Sequence, residues 1–589
     1  MKKVVLIEPQ SKEDHVYKMV RMPRLGLPLL GAQLKSAGYQ VELYLGTGET
    51  LPWSRIVDAD YVGISTITAT SREAYRIAGF LRSQGMTVVM GGIHAHVMPE
   101  EALSHADYVV RGEADLTIVP LFRALDKGSL PWDVPGVSFW NGREAVHNPC
   151  STAPVEMDQL PLPDFSLFKG QKPFRTIPVM TSRGCPFDCN FCSVTLMFGR
   201  RYRFRSTENV LDELAAYRGR SVFFCDDNFT ANSARSKELF QGMIDCKTGL
   251  KRWGAQMRVE ASQDSAMLDL MRRSGGDMAY VGLESINPAT LASFNKQQSV
   301  EEVRDCVRRF HEFGIRVHGM FIFGGEADTV QTIRDTVDFA LDSRIDSLQF
   351  AILTPLPGTP LFQQLEAEGR LLTRQWELYD GHHAVFQPAR MTPYELQNET
   401  ISAFKRFYTF RNIFKNVHTP GWETSFYRSV GCYLVRHFER KNRWYDRALE
   451  RLQDIEPKPV PLFFRTLKAH PGEGQEGMPA SLRIFLIEKK GVLHLRLRGI
   501  ISNINLREVI RTVRTLLPKR CFHLVINAEG LRFASGKAAA SFARFLEWLG
   551  QNSRRLQVVI SGEGDQKDYF CAKERRTKLP RFELLLSKR

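Results

Sequence analysis

Short apolar runs alternate with amphipathic stretches through the first 148 residues. KVVLIEP (3–9), VELYL (41–45), YVGISTIT (61–68), MTVVMGG (86–92) and DYVVRGE (107–113) read as strands. GLPLLGAQLKSAGYQ (26–40), SREAYRIAGFLRSQG (71–85) and EEALSHA (100–106), between them, read as helices, the first two with Gly near the C-terminal end. That alternation predicts a doubly wound parallel α/β domain over residues 1–148. Residues 149–174 are Pro-rich and aperiodic and read as a linker. A second series follows over 175–392, with six strand candidates: RTIPVMTS, SVFFCDD, GAQMRVE, MAYVGLE, RVHGMFIFGG and DSLQFAIL. Helical patterns separate them, so a partial (β/α)6 barrel of the TIM type is expected, its chemistry at the C-terminal ends of the strands. Residues 393–470 read as a helical extension ending at the break EPKPVPLFF, and residues 481–589 as a small separate α/β domain.

Composition narrows the class. A 589-residue chain with 43% hydrophobic and 25% charged residues is an ordinary multidomain globular protein. MKKVVLIEPQ is too short an apolar run for a signal peptide or a membrane span and reads as a first strand, so a cytoplasmic location is expected. Ten cysteines, only three of them clustered, exclude a secreted disulfide framework. The net charge of +15 suits anionic partners, whether nucleic acid, phosphorylated cofactors or lipid headgroups, and charge alone does not choose among them; the motifs below lead to no expectation of nucleic acid.

The clustered cysteines lie in TSRGCPFDCNFCSV (181–194), where Cys185, Cys189 and Cys192 share one short loop with no fourth cysteine nearby. A structural zinc site normally takes four protein ligands, usually from two knuckles. An ordinary four-iron cluster also takes four cysteines. Three thiols leave a corner for a substrate or cofactor, with a zinc loop as the plainer alternative. The CxxxCxφC spacing, with Phe191 before the last cysteine and a strand before the first, resembles the radical S-adenosylmethionine (SAM) superfamily. The resemblance implies a [4Fe-4S] cluster on the three cysteines, with SAM chelating the open iron and being cleaved to a 5′-deoxyadenosyl radical.

It also implies roles for polar residues at successive strand ends. Asp226 or Asp227 would accept from the SAM amino group, an exposed turn being the alternative. Arg258 would meet its carboxylate, or be a surface arginine. Glu284 with Ser285 would hold the ribose, and Gly324 and Gly325 would let backbone approach adenine. GGE (324–326) falls after the fifth strand rather than the second, so Glu326 is given no SAM role. TPLPGTPLF (354–362) resembles a stiff closing turn of one branch of the superfamily.

The ordered motifs GLPLLGAQLKSAGYQV, VGIST, GGIHAHVMPEEAL and DYVVRGEAD resemble the cobalamin-binding (B12-binding) domains fused in front of radical SAM barrels. The resemblance implies a cobalamin site at Ser65, Thr66, Gly91, Gly92, His94, Gly112 and Glu113, with no histidine from a DxHxxG motif below the cobalt. His94 and His96 are the loop histidines to weigh as ligands, a solvated or hydrogen-bonded role being the alternative. The implied activity is a cobalamin-dependent radical SAM methyltransferase acting on an unactivated carbon. A cobalamin-dependent cyclase or rearrangement enzyme is the runner-up, and a non-catalytic sensor or scaffold the alternative of another class. An electron donor such as flavodoxin or ferredoxin and a small-molecule or lipid substrate are implied with it.

Trp376, Tyr379, His382, His383 and Phe386 either line a pocket or cap the barrel. The basic helix around 425–452 either rests on an anionic membrane or presents a solvated face. The last domain resembles the sulfate transporter and anti-sigma-factor antagonist (STAS) fold, which implies a protein-interaction module. Ser535 stands where that family carries a phosphorylation switch, although Ala534 replaces the usual acidic residue.

Overall fold

The computed structural model describes residues 1–11, 22–171, 173–409, 411–412, 422–453, 461–468, 481–489, 492–501, 506–507, 509–510, 523–527, 531–533, 536–552, 555–560 and 582–586. Ser535 and Ala534 lie outside them. The chain divides into two units, residues 1–368 with 376–452, and residues 369–375 with 453–589.

The first unit opens with strands β1 (Lys3–Pro9), β2 (Gln40–Gly46), β3 (Tyr61–Ser65), β4 (Thr87–Gly91) and β5 (Tyr108–Val110). Strands β6 (Val137–Trp140) and β7 (Ala145–His147) complete a sheet of order β2-β1-β3-β4-β5-β6-β7. The first five strands are parallel; β6 and β7 join antiparallel, an edge the periodicity did not reveal. Val4, Val5, Leu6 and Ile7 are all buried because helices cover both faces, which is why β1 is a continuous apolar run rather than an alternating one. The order in which strands are added reverses between β1 and β3, the switch point at which such sheets bind ligands. The expected linker is fastened to this domain: Phe168 bridges to Leu43 beside β2, and Leu167 is buried in the core.

Six further parallel strands are β8 (Thr176–Val179), β11 (Ser221–Phe224), β12 (Arg252–Met257), β13 (Gly276–Glu284), β14 (Arg316–Phe323) and β15 (Ser347–Ile352). Between the first two, β9 (Ser182–Arg183) and β10 (Arg203–Phe204) form a two-residue antiparallel pair. The six strands run in simple sequence order as an open, partial barrel. Burial alternates along them. Phe224, Trp253, Phe321 and Phe350 are fully buried, Trp253 packing on Phe240 and Phe321 and Phe350 on Phe339 and Phe404 of the surrounding helices. Phe223, Gln256, Tyr280, Met320, Ile322, Gln349 and Ala351 are half-buried on the opposite, concave face. Side-chain caps at Asp264, Asn287, Ser299, Thr329, Thr359 and Thr392 start the helices after the barrel strands.

The expected aromatic cluster is core: Trp376, Tyr379, His382, His383 and Phe386 are all buried. The basic helix runs Trp422–Gln453, with Leu434, Val435, Phe438, Tyr445 and Leu449 buried. Arg428, grouped by sequence with the basic face, is instead 1% exposed and donates to the Ile345 and Asp346 carbonyls. Arg436, Arg440, Lys441, Arg443, Arg447 and Arg451 are exposed, as are Tyr433 and Trp444.

The second unit contains β16 (Pro461–Lys468), β17 (Ser481–Lys489), β18 (Val492–Ile501), β19 (His523–Asn527), β20 (Leu531–Phe533), β21 (Arg555–Ile560) and β22 (Phe582–Leu586). Its sheet order is β16-β17-β18-β19-β21-β22, with β20 paired to β18. β16 occupies PLFFRTLK, part of which read as a break: its apolar residues pair antiparallel with β17, so the sheet begins upstream of the expected domain start.

Candidate active site

The cysteine loop leaves β8 and passes through β9. Gly184 follows with φ +84°, where a side chain would meet the Arg201 carbonyl at 2.6 Å; only glycine turns the chain there. The loop is then clamped to the segment after β13. Asn190 Nδ2 donates to the Ser293 carbonyl at 2.8 Å, Asn295 Nδ2 donates to the Asp188 carbonyl at 2.9 Å, and Leu361 N–H donates to the Asn190 carbonyl at 3.1 Å. Phe191 sits edge-on to Phe294 with ring centroids 5.1 Å apart. Leu361 belongs to TPLPGTPLF, and a side chain at Gly358 of that turn would touch Val97 and Leu196.

The three thiols are half-buried, free of disulfides and within eight positions. Burial pushes all three up, Cys192 to about 12, while the cations of Arg258 and Lys296 act in the opposite sense on Cys185 and Cys189. Such thiols ionise when a strong cation arrives to bind them. Three soft donors with two cations beside them fit an anionic iron–sulfur cluster. Among the described residues, no three Cys, His, Asp or Glu side chains are grouped to hold a single metal ion.

The strand-end residues fall into two kinds. Asp226 is 1% exposed and already engaged: its carboxylate accepts from Thr181 N–H at 3.0 Å, from Thr181 Oγ1 at 3.1 Å and from Ser182 Oγ. It ties β8 to β11. Asp227 is the more accessible neighbour, and burial with the nearby Asp226 charge raises its carboxyl to about 6. Arg258 stacks on Phe187 of the cysteine loop at 3.7 Å and pairs with Glu260 at 2.8 Å. Glu284 follows a bulge in β13, has φ +59° and is held by Lys296 at 2.7 Å. Ser285 Oγ accepts from Asn287 N–H at 3.0 Å. Gly324 and Gly325 donate their N–H groups to Asp328, and a side chain at Gly324 would strike Leu396 and Phe386.

In the first domain, a cavity of about 200 Å³ opens at the switch point. Ser65, Gly91, Gly92, Gly112 and Glu113 line it, with Leu25, Gly26, Gly63 and Ile118. Its wall also includes Met180 and Arg183, before the cysteines, and Met197 and Phe198, after them. The cavity is largely apolar, and a side chain at Gly26 would meet nothing within 4 Å, so the backbone leaves room there for a large ligand. Gly92 has φ +93°, and a side chain on it would overlap the Thr66 backbone. Buried Arg183 Nε in the cavity wall has no hydrogen-bond partner among the described residues. An apolar cleft floored by glycines, which lies at the switch point of the sheet, fits a large ring system such as cobalamin.

Thr66 is buried behind this wall, its Oγ1 donating to the Gly91 carbonyl. The expectation for His94 is corrected: it is fully buried, lies outside the cavity lining, and faces Thr68 at 3.3 Å, Glu101 at 3.8 Å and the Trp376 ring. The Trp376 ring and the Glu101 carboxylate draw its ring inward. His96 is also engaged, between Gly112 N–H and the Leu196 carbonyl, each at 3.1 Å. Arg183, Arg203, Asp115, Lys296 and Asp328 were missed by sequence reasoning. Arg183 and Asp328 lie beside motifs already singled out, the cysteine loop and GGE, whereas Arg203 and Asp115 meet their partners across long sequence separations.

A radical SAM superfamily model matches residues 179–340, and a B12 binding domain model matches residues 20–121. The chain is 32% identical over 435 residues to an uncharacterized methyltransferase of Pyrococcus horikoshii, covering 69% of this chain and 92% of that protein. It is 29% identical over 432 residues to bacteriochlorophyllide d C-12(1)-methyltransferase of Chlorobaculum tepidum, covering 71% and 89%. An anaerobic magnesium-protoporphyrin IX monomethyl ester cyclase of Cereibacter sphaeroides is 28% identical over 463 residues, covering 73% and 74%. Among solved structures, the cobalamin-dependent radical enzyme OxsB with aqua-cobalamin and SAM bound has a TM-score of 0.56 at 17% identity, covering 74% of this chain and 71% of that one, a likeness of fold. The chain belongs to the family of radical SAM enzymes that carry a B12-binding domain.

Proposed function

We propose that the protein transfers a methyl group to an unactivated carbon of a small molecule, using a [4Fe-4S] cluster, SAM and cobalamin. The observation that carries this reading is the shared wall: the segments flanking the cysteine triad also line the cavity of the B12-binding domain. When bound, the cluster and SAM supply one-electron radical chemistry and cobalamin the methyl carrier. The protein's own part is to hold and orient. Cys185, Cys189 and Cys192 are the cluster ligands. Asp227 is the better placed acceptor for the SAM ammonium, because Asp226 is occupied with Thr181 and Ser182. Glu284, oriented by Lys296, is the carboxylate for the ribose. Ser65, Gly91, Gly92, Gly112 and Glu113 form the cobalamin site.

The concave face of the barrel supports an uncharged substrate with apolar and hydrogen-bonding parts, since Phe223, Tyr280, Met320 and Ile322 are half-buried there beside Gln256 and Gln349. A lipid substrate drawn from an anionic membrane is the finer reading, supported by the exposed basic stripe of Trp422–Gln453 with Tyr433 and Trp444. No described helix is long and apolar enough to cross a membrane. An external reductant of the flavodoxin or ferredoxin type is required, and the second unit is read as a module for a protein partner.

The test is anaerobic reconstitution with iron, sulfide and hydroxocobalamin, then reductant and methyl-labelled SAM, measuring 5′-deoxyadenosine and labelled product. Both are expected in a substrate-dependent manner. Deoxyadenosine with no label transferred would favour the second reading, a radical cyclisation, which the cyclase relative supports. No deoxyadenosine from fully loaded protein would sink both.

A further inference from the structure

In β9 and β10, Arg183 and Arg203 stand directly opposite each other. Like charges facing across an antiparallel pair repel, and here both guanidiniums are nearly buried. Two carboxylates from the B12-binding domain relieve this. Arg183 Nη1 donates to Glu113 Oε2 at 2.6 Å and to Asp115 Oδ2 at 2.7 Å, and its Nη2 donates to Asp115 Oδ1 at 3.1 Å. Arg203 Nη2 donates to Glu113 Oε1 at 2.6 Å and to the Phe198 carbonyl at 3.2 Å. The four groups are neutral together. Arg183 is 5% exposed, precedes the Gly184 turn into Cys185, and shares the cavity wall with Glu113, Asp115 and Phe198. Its buried Nε is the one guanidinium nitrogen of Arg183 with no partner among the described residues.

We propose that Arg183 is a positioning residue that couples the two cofactor sites: what fills the cavity sets the geometry of the cysteine loop, and the loaded loop sets affinity in the cavity. A ligand seated against Glu113, Asp115 and Arg183 in the cavity wall fixes the Arg183–Asp115–Glu113 joint. The joint fixes β9 and β10, and they fix the start of the loop. Coupling between two binding equilibria is reciprocal, so the effect reads out from either side. The inference rests on the cavity being the cobalamin site.

Hydroxocobalamin is titrated into the full-length protein with and without its reconstituted cluster, and the dissociation constant is followed by absorbance. Wild type is expected to bind at least about fivefold more tightly with the cluster present. In Arg183→Met the two constants should converge, and the electron paramagnetic resonance signal of the reduced cluster should lose its response to cobalamin. Asp115→Asn, which keeps shape and one acceptor, should give an intermediate ratio and guards against a misfolded Arg183 variant. A purely structural arginine would weaken both constants together and leave their ratio unchanged, which overturns the coupling. Equal constants in wild type overturn it as well, and absence of cobalamin uptake by wild type overturns the reading of the cavity with it.

Discussion

Asp226 has its carboxylate consumed by Thr181 and Ser182, whereas Asp227, one residue on, is less buried and charged at the expense of the fold. Asp226→Asn should therefore lower unfolding free energy by about 1–3 kcal/mol, because it leaves buried donors unmatched. Asp227→Asn should do the reverse in the cofactor-free protein. The Asp227 carboxyl titrates near 6 when folded, above its ordinary 3.8, so between those values the folded state holds one more proton than the unfolded. Stability thus rises as pH falls from about 6 toward 3.8, and removing the charge should raise the melting temperature at about pH 7.5, about half as much at about pH 5, and not at all at about pH 3. A variant melting below wild type at the higher pH contradicts this. The Glu284–Lys296 pair is buried on both sides. Lys296→Met alone should cost about 3–5 kcal/mol by denaturant unfolding, and the double change with Glu284→Gln less than the two single costs added.

At the scale of elements, the strands were legible because short apolar runs bounded by turn residues are local signals. KVVLIEP is β1 to the residue, and all six barrel strands fall where apolar runs stood. What was not legible depends on partners far along the chain. His94 stood in a polar-looking loop, yet Trp376 and Glu101 draw it into the core. The clamp of Asn190 and Asn295 on the cysteine loop spans more than a hundred residues of sequence. Gly92 joins both kinds: the glycine pair was visible, but the overlap with Thr66 was not. Gly92→Ala should displace the Thr66 segment and abolish cobalamin uptake while leaving cluster reconstitution, read from iron and sulfide content, near wild type. Intact uptake would show that the loop tolerates the strain.

The whole molecule divides after the long helix rather than between the two cofactor domains, which form one unit. A chain ended after Leu452 is therefore expected to fold cooperatively and to retain cluster and cobalamin, measured as bound iron and corrin. Loss of both would mean that the second unit is needed for the first to fold. Sequence patterns anticipated a B12-binding domain ahead of the radical SAM barrel but not that grouping, since the ion pairs joining the two are invisible to periodicity.

The opposed arginines of β9 and β10 also bear on ancestry. A barrel recombined with a foreign partner domain lacking Glu113 and Asp115 would inherit two cations face to face and nothing to neutralise them. Exchange of whole modules by gene fusion is therefore restricted at this joint, and the two halves are expected to descend together as one heritable block.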